Sequence, residues 1–187
     1  MTQIPVAQLS GLSLFQGLTT DEINTVAAAC TSASFTPGQV ILQEGESLRA
    51  LWILLEGTVE VDLEVPKAGD RPIAELHAPS IFGETSFFHA GPHSATVKSV
   101  GASRLLRLER AKFDQLVSEK NTGALRLGIK AAEILAARLQ QTDRWVEQML
   151  ESQMDAKIHT AWQHFREGLG HGFDKPGPFV GIGANWS

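Results

Sequence analysis

Hydrophobic positions change period twice along this chain of 187 residues. From about residue 9 to 33 they follow helical spacing, and Ile23, Val26, Ala27 and Cys30 would share one helical face. Thr19-Thr20-Asp21-Glu22 fits a capping box, with Thr19 as N-cap and Glu22 reaching back. From about 34 to 108 the spacing becomes that of strands and turns. Pro37-Gly38 and Glu44-Gly45 bracket Val40-Ile41-Leu42, and Ala68-Gly69-Asp70 reads as another turn. Leu51-Trp52-Ile53-Leu54-Leu55 is continuously apolar, while Thr58 to Leu63 alternates, with Val59, Val61 and Leu63 on one face. Residues 95–100 and 103–108 add two strands around Gly101. Short strands at this spacing predict a sandwich, jelly roll or barrel.

The helical period returns after residue 108. Arg110 to Lys120 predicts a short helix with Phe113, Leu116 and Val117 inward, and Asn121 is the candidate N-cap of a long one. Ala132, Leu135, Leu139, Thr142, Val146 and Met149 form a heptad seam interrupted by Thr142. A second stripe, Met154, Ile158, Trp162, Phe165 and Leu169, lies on a shifted face and suggests a break near Glu151-Ser152. Gly and Pro dominate from Gly170 to Ser187, which reads as a flexible tail.

Composition narrows the function more than the fold. With 43% hydrophobic and 20% charged residues the chain is globular. A net charge of −5 and no Lys/Arg block argue against a general nucleic-acid surface. The single cysteine, Cys30, excludes an intrachain disulfide and reads as a buried structural thiol. No stretch is apolar enough to span a membrane and the N-terminus lacks signal-peptide features, so the expected location is the cytoplasm.

The stretch from Phe82 through Gly83-Glu84-Thr85-Ser86-Phe87-Phe88 to Gly91-Pro92-His93-Ser94-Ala95-Thr96 resembles the phosphate-binding cassette of cyclic nucleotide-binding domains. Leu14-Phe15-Gln16-Gly17-Leu18, Gly38 to Glu46 and Leu51 to Val61 resemble further marks of that family, in order. The resemblance covers roughly residues 12 to 145. It implies a mainly β α+β fold: a double-stranded β-helix or jelly roll, flanked by N-terminal helices and a long C-terminal helix. Residues 9–145 would form this domain with the start of the long helix, 146–169 a helical extension, and 170–187 the tail.

The resemblance also assigns roles. Phe82 leads into the cassette, and Gly83 lets backbone approach a phosphate. Thr85 and Ser86 offer first-turn N–H donors. Glu84 accepts from a ribose hydroxyl, or acts only on the helix dipole. Phe87 and Phe88 stand where the family has aliphatic packing residues, with an aromatic wall for a purine as the alternative role. His93 stands where the family usually has arginine, and Ser94 and Ala95 complete the loop. Arginine is always charged; histidine is mostly neutral at pH 7, at a cost of about 1.5–3 kcal/mol in a partly desolvated phosphate site. Thr96 would face its strand. Arg138 to Thr142 fall where the family's last helix covers the base, with Arg138 a candidate replacement cation. Ala78-Pro79-Ser80 departs from the usual glycine-bearing turn.

No HExxH, Walker or nucleophile-elbow motif is present, and His89/His93 and His159/His164 are poorly spaced for a metal, so neither enzyme nor metalloprotein is expected. The tail offers no basic recognition helix, so direct DNA binding is not expected. The reading is a regulatory sensor that holds cAMP, cGMP or a similar anion without a further cofactor. It would relay occupancy through the long helix to a second copy or a partner protein. The alternative is a ligand-free interaction or dimerisation module, with residues 135–169 and their Trp145, Trp162 and Phe165 as the binding face.

Overall fold

The computed structural model describes residues 6–65 and 69–153. The second apolar stripe, His159, His164 and the Gly/Pro segment lie outside them. The chain divides into two compact units, Met1–Ala136 and Ala137–Ser187.

Helix α1 (Val6–Ser10), a 3-10 turn (Ser13–Phe15) and helix α2 (Thr20–Ala29) lead into eight strands. These are β1 (Thr31–Phe35), β2 (Val40–Leu42), β3 (Ala50–Glu56), β4 (Thr58–Val65), β5 (Gly69–His77), β6 (Ser80–Phe82), β7 (Thr96–Ser99) and β8 (Ser103–Glu109). Helix α3 (Glu84–Phe88) lies between β6 and β7, and α4 (Arg110–Ser118) and α5 (Thr122–Gln153) follow β8. The strands form two antiparallel sheets, β1-β8-β3-β6 and β2-β7-β4-β5. This is the expected mainly β roll with flanking helices.

The continuous apolar run of β3 exists because its sheet is covered on both faces. Leu51, Ile53 and Leu55 enter a core with Ile23, Val26, Phe87, Phe113 and Leu127 from the helices. Ala50, Trp52 and Leu54 point into the roll, against Leu42, Val59 and Val97 of the other sheet and Phe82 of the neighbouring strand.

The helix starts follow local chemistry. Thr19 Oγ1 accepts from Glu22 N at 3.3 Å while Glu22 Oε2 accepts from Thr19 N at 2.8 Å, the complete capping box. Asn121 Oδ1 accepts from Ala124 N at 2.9 Å at the head of α5.

Four expectations need correction. Helix α2 ends at Ala29 and β1 begins at Thr31, so Cys30 closes the helix instead of lying within it. Its Sγ donates to the Val26 carbonyl at 3.3 Å, and burial pushes the thiol up to about 12. Gly69-Asp70 opens a nine-residue edge strand, which tolerates Pro72 because an edge position leaves a backbone donor unneeded. The alternation of β4 holds only to Val61. The pairing with β5 skips Ile73 there, while the register with β7 stays regular; Asp62 keeps the face of Glu60 and Lys98, yet is 3% exposed, with Lys98 Nζ at 2.6 Å. Leu63 is exposed. Finally, α5 runs without interruption through Glu151-Ser152 to Gln153.

Candidate functional site

The site is built where β6 meets α3. Strand β6 buries Phe82 in the roll and delivers the chain to Gly83, which has φ 76° and ψ 6°. That left-handed conformation suits glycine. An added Cβ there would lie 2.7 Å from the Ala50 carbonyl oxygen and 3.3 Å from Trp52 Cδ1. Glycine is therefore what lets the cassette backbone press against β3.

Helix α3 is five residues long. Its Glu84, Ser86 and Phe87 are buried and Thr85 is exposed. Phe87 meets Phe88 and Phe113 edge-on, both at 5.2 Å between centroids, so the paired phenylalanines are packing residues. The C-terminal carbonyls of α3 are held by two guanidinium groups. Arg49 donates to Ser86 O at 3.4 Å and Phe87 O at 3.1 Å, and Arg110 donates to Phe87 O at 2.7 Å. Arg110 also lies over the Phe87 and Phe113 rings at 5.5 and 5.7 Å. Positive charge at this end opposes the exposed carbonyl dipoles and fixes the helix against β3 and α4.

His93 returns the loop to α3. Its Nδ1 lies 3.0 Å from Ser86 Oγ, which also donates to the Gly83 carbonyl at 3.2 Å. The backbone is clamped to the β2–β3 turn: His93 N donates to Glu46 O at 2.8 Å, and Gly45 N donates to His93 O at 3.0 Å. The imidazole is only 5% exposed, and its Nε2 has no hydrogen-bond partner among the described residues. Burial holds its pKa below the ordinary histidine value, opposed in part by the Glu46 carboxylate. A neutral ring is thus seated in the cassette, one nitrogen used and the other available.

The structure brings Phe82, Gly83, Glu84, Thr85, Ser86 and His93 together around one turn. Ser94 is exposed and Ala95 half-buried just beyond. Thr96 does not join them: its Oγ1 accepts from Gln43 Nε2 at 3.2 Å and Glu44 N at 3.1 Å, which ties β7 to the turn. Arg138 and Thr142 belong to the second unit, where Thr142 Oγ1 donates to the Arg138 carbonyl at 3.0 Å. Sequence reading missed Arg49, Arg110 and Trp52. Nothing local distinguishes them, because each reaches the cassette from a strand or helix distant in sequence.

Residues 32–120 match the profile of the cyclic nucleotide-binding domain. Over that segment the chain carries a domain of the cyclic nucleotide-binding type. It is 32% identical over 113 residues to the cAMP-dependent protein kinase regulatory subunit of Dictyostelium discoideum, across 58% of this chain and 34% of that protein. It thus spans about a third of that relative's length. It is 28% identical over 165 residues to the cyclic AMP receptor protein of Thermus thermophilus, across 87% of this chain and 74% of that one. The crystal structure of a cyclic nucleotide-binding domain from Methylobacillus flagellatus superposes with a TM-score of 0.68 at 23% identity, covering 76% of this chain and 81% of that one. That likeness is one of fold.

Proposed function

We propose that this chain is a regulatory sensor that binds a cyclic nucleotide, cAMP or cGMP, or a closely similar anion in the cassette. Occupancy is relayed through α5 to a second copy or a partner protein in the cytoplasm. The supporting observation is the cassette itself: Gly83, Glu84, Ser86 and His93 gathered on one buried turn. Relay requires that the ligand bind more tightly to one arrangement of α5 than another.

His93 makes the proposed binding proton-linked. The charged group that acts on it is the Glu46 carboxylate from the β2–β3 turn, and Arg49 reaches the carbonyl of its neighbour Ser86. In the free protein its pKa is depressed. An anion beside Nε2 favours the imidazolium and raises it. Affinity therefore rises as pH falls through the pKa of the bound form and levels off below that of the free form.

The test is a thermal melt at pH 6 and pH 8, with and without millimolar cAMP and cGMP. A ligand at ~100 times its dissociation constant adds about 2.7 kcal/mol of stability. A shift larger at pH 6 is expected. The competing reading is a ligand-free interaction module, favoured by the exposed Leu139 (56%) and Trp145 (60%) on the second unit. It predicts no shift with either nucleotide at either pH.

A further inference from the structure

Trp52 carries a second orphaned polar atom at the cassette. It is 4% exposed, and its indole Nε1 has no hydrogen-bond partner among the described residues. A buried indole N–H ordinarily finds an acceptor, so an orphan is a structural cost that needs a reason.

Geometry dictates what this indole can offer. In the sheet order β1-β8-β3-β6, Trp52 of β3 pairs with Arg107 on one side and Phe82 on the other. Phe82 stacks on it with planes 4° apart and centroids 6.2 Å apart. The Arg107 guanidinium carbon lies 5.8 Å from the ring centroid, over the ring. Phe35 approaches edge-on at 6.0 Å. With Phe82 and Arg107 stacked on the indole, little ring face remains for a purine. The edge of the five-membered ring is what adjoins the cassette: Cδ1, the atom bonded to Nε1, lies 3.3 Å from where a Gly83 Cβ would sit.

Gly83 links the two side chains that carry these orphans. Its carbonyl accepts from Ser86 Oγ, which in turn lies 3.0 Å from His93 Nδ1. The two donors differ in kind. An indole nitrogen only donates, at any pH. His93 Nε2 donates to an anion only as imidazolium, or if the ring shifts tautomer and Ser86 turns its hydroxyl from Gly83 to Nδ1.

We infer that Trp52 is a ligand-binding residue of this cassette: its Nε1–H is the proton-independent donor to the ligand's anionic group, beside the proton-dependent donor His93. Arg107 stands in the same layer of the roll, its charge paired with Glu109. Its Nη2 is 2.5 Å from Glu109, and its Nε is buried with no hydrogen-bond partner among the described residues. The inference rests on the proposed anion-binding role of the cassette.

The test is a titration of the 15N-labelled full chain with cAMP and, separately, cGMP, followed by amide and indole resonances. The four tryptophans give four indole signals, and Trp52→Phe assigns one of them while preserving an aromatic core residue. The expected result is a downfield shift of the Trp52 indole proton that saturates with the Gly83–Ser86 amides. Trp52→Phe should weaken binding about ten- to a hundredfold, equally at pH 6 and pH 8. His93→Gln should instead remove only the low-pH gain. If the cassette amides move while the Trp52 indole stays fixed, the inference is wrong and the cassette reading stands. If neither moves with either nucleotide, the cyclic-nucleotide reading falls and the inference falls with it.

Discussion

Gly83→Ala puts the close approach of the cassette to β3 to a direct test. The native φ of 76° costs a non-glycine residue about 1–2 kcal/mol. The new methyl would lie 2.7 Å from the Ala50 carbonyl oxygen, well inside contact distance, and that atom is backbone of a buried strand. Relieving the overlap displaces β3 or the start of α3, which is overpacking worth about 1–3 kcal/mol. Against this, alanine narrows the unfolded ensemble and returns about 0.4–1 kcal/mol. The net is a destabilisation near 3 kcal/mol, or about 6–12 °C in melting temperature for a chain of this size. Urea unfolding of wild type, Gly83→Ala and Gly91→Ala measures it. Gly91 belongs to the same loop, but a Cβ there would meet nothing closer than His89 Cδ2 at 3.9 Å, so Gly91→Ala should be neutral or slightly stabilising. A Gly83→Ala protein within about 0.5 kcal/mol of wild type would refute the reasoning.

Three further outcomes follow from the same geometry. Arg110→Ala removes a charged donor from Phe87 O and the guanidinium over two rings, and should cost about 2 kcal/mol in urea unfolding; a loss under about 0.5 would mean that α3 is held without it. The Cys30 thiol, pushed up to about 12 by burial, should resist a thiol reagent at pH 8 in the folded protein and react fully after denaturation. The depressed pKa of His93 means that the unfolded chain takes up its proton first as pH falls below about 6.5, so the ligand-free protein loses stability from there down to the folded pKa. The melting temperature of wild type should therefore drop more between pH 7.5 and pH 5.5 than that of His93→Gln; parallel curves would show that His93 titrates as though unfolded.

Much of the fold was legible because its signals are local. A threonine followed three residues later by glutamate, or an asparagine ahead of a helical run, caps a helix wherever it occurs. The cassette was legible as a segment for the same reason: Gly83, Glu84, Ser86 and His93 fall within eleven consecutive residues. The errors arose where a distant partner decided the outcome. Gly69-Asp70 reads as a turn until β5 is found paired with β4 from Gly69 onward. Asp62 lies on the polar face of β4 with Glu60, and only the pairing of β4 with β7 brings Lys98 over it and buries it.

The sequence by itself determined the succession of elements, the caps, the doubly buried strand and the histidine in place of arginine. Each is a property of residues a few positions apart, set by backbone geometry and side-chain type. Tertiary structure alone decided that Arg49 and Arg110 fasten α3 and that His93 is a buried neutral ring with one nitrogen unused. It alone decided that Trp52 packs its Cδ1 edge against Gly83 and leaves its buried indole N–H without a hydrogen-bond partner among the described residues. Those properties depend on burial and on contacts between strands and helices far apart in the chain, and desolvation and hydrogen-bond satisfaction have no meaning until the chain has closed around the groups concerned.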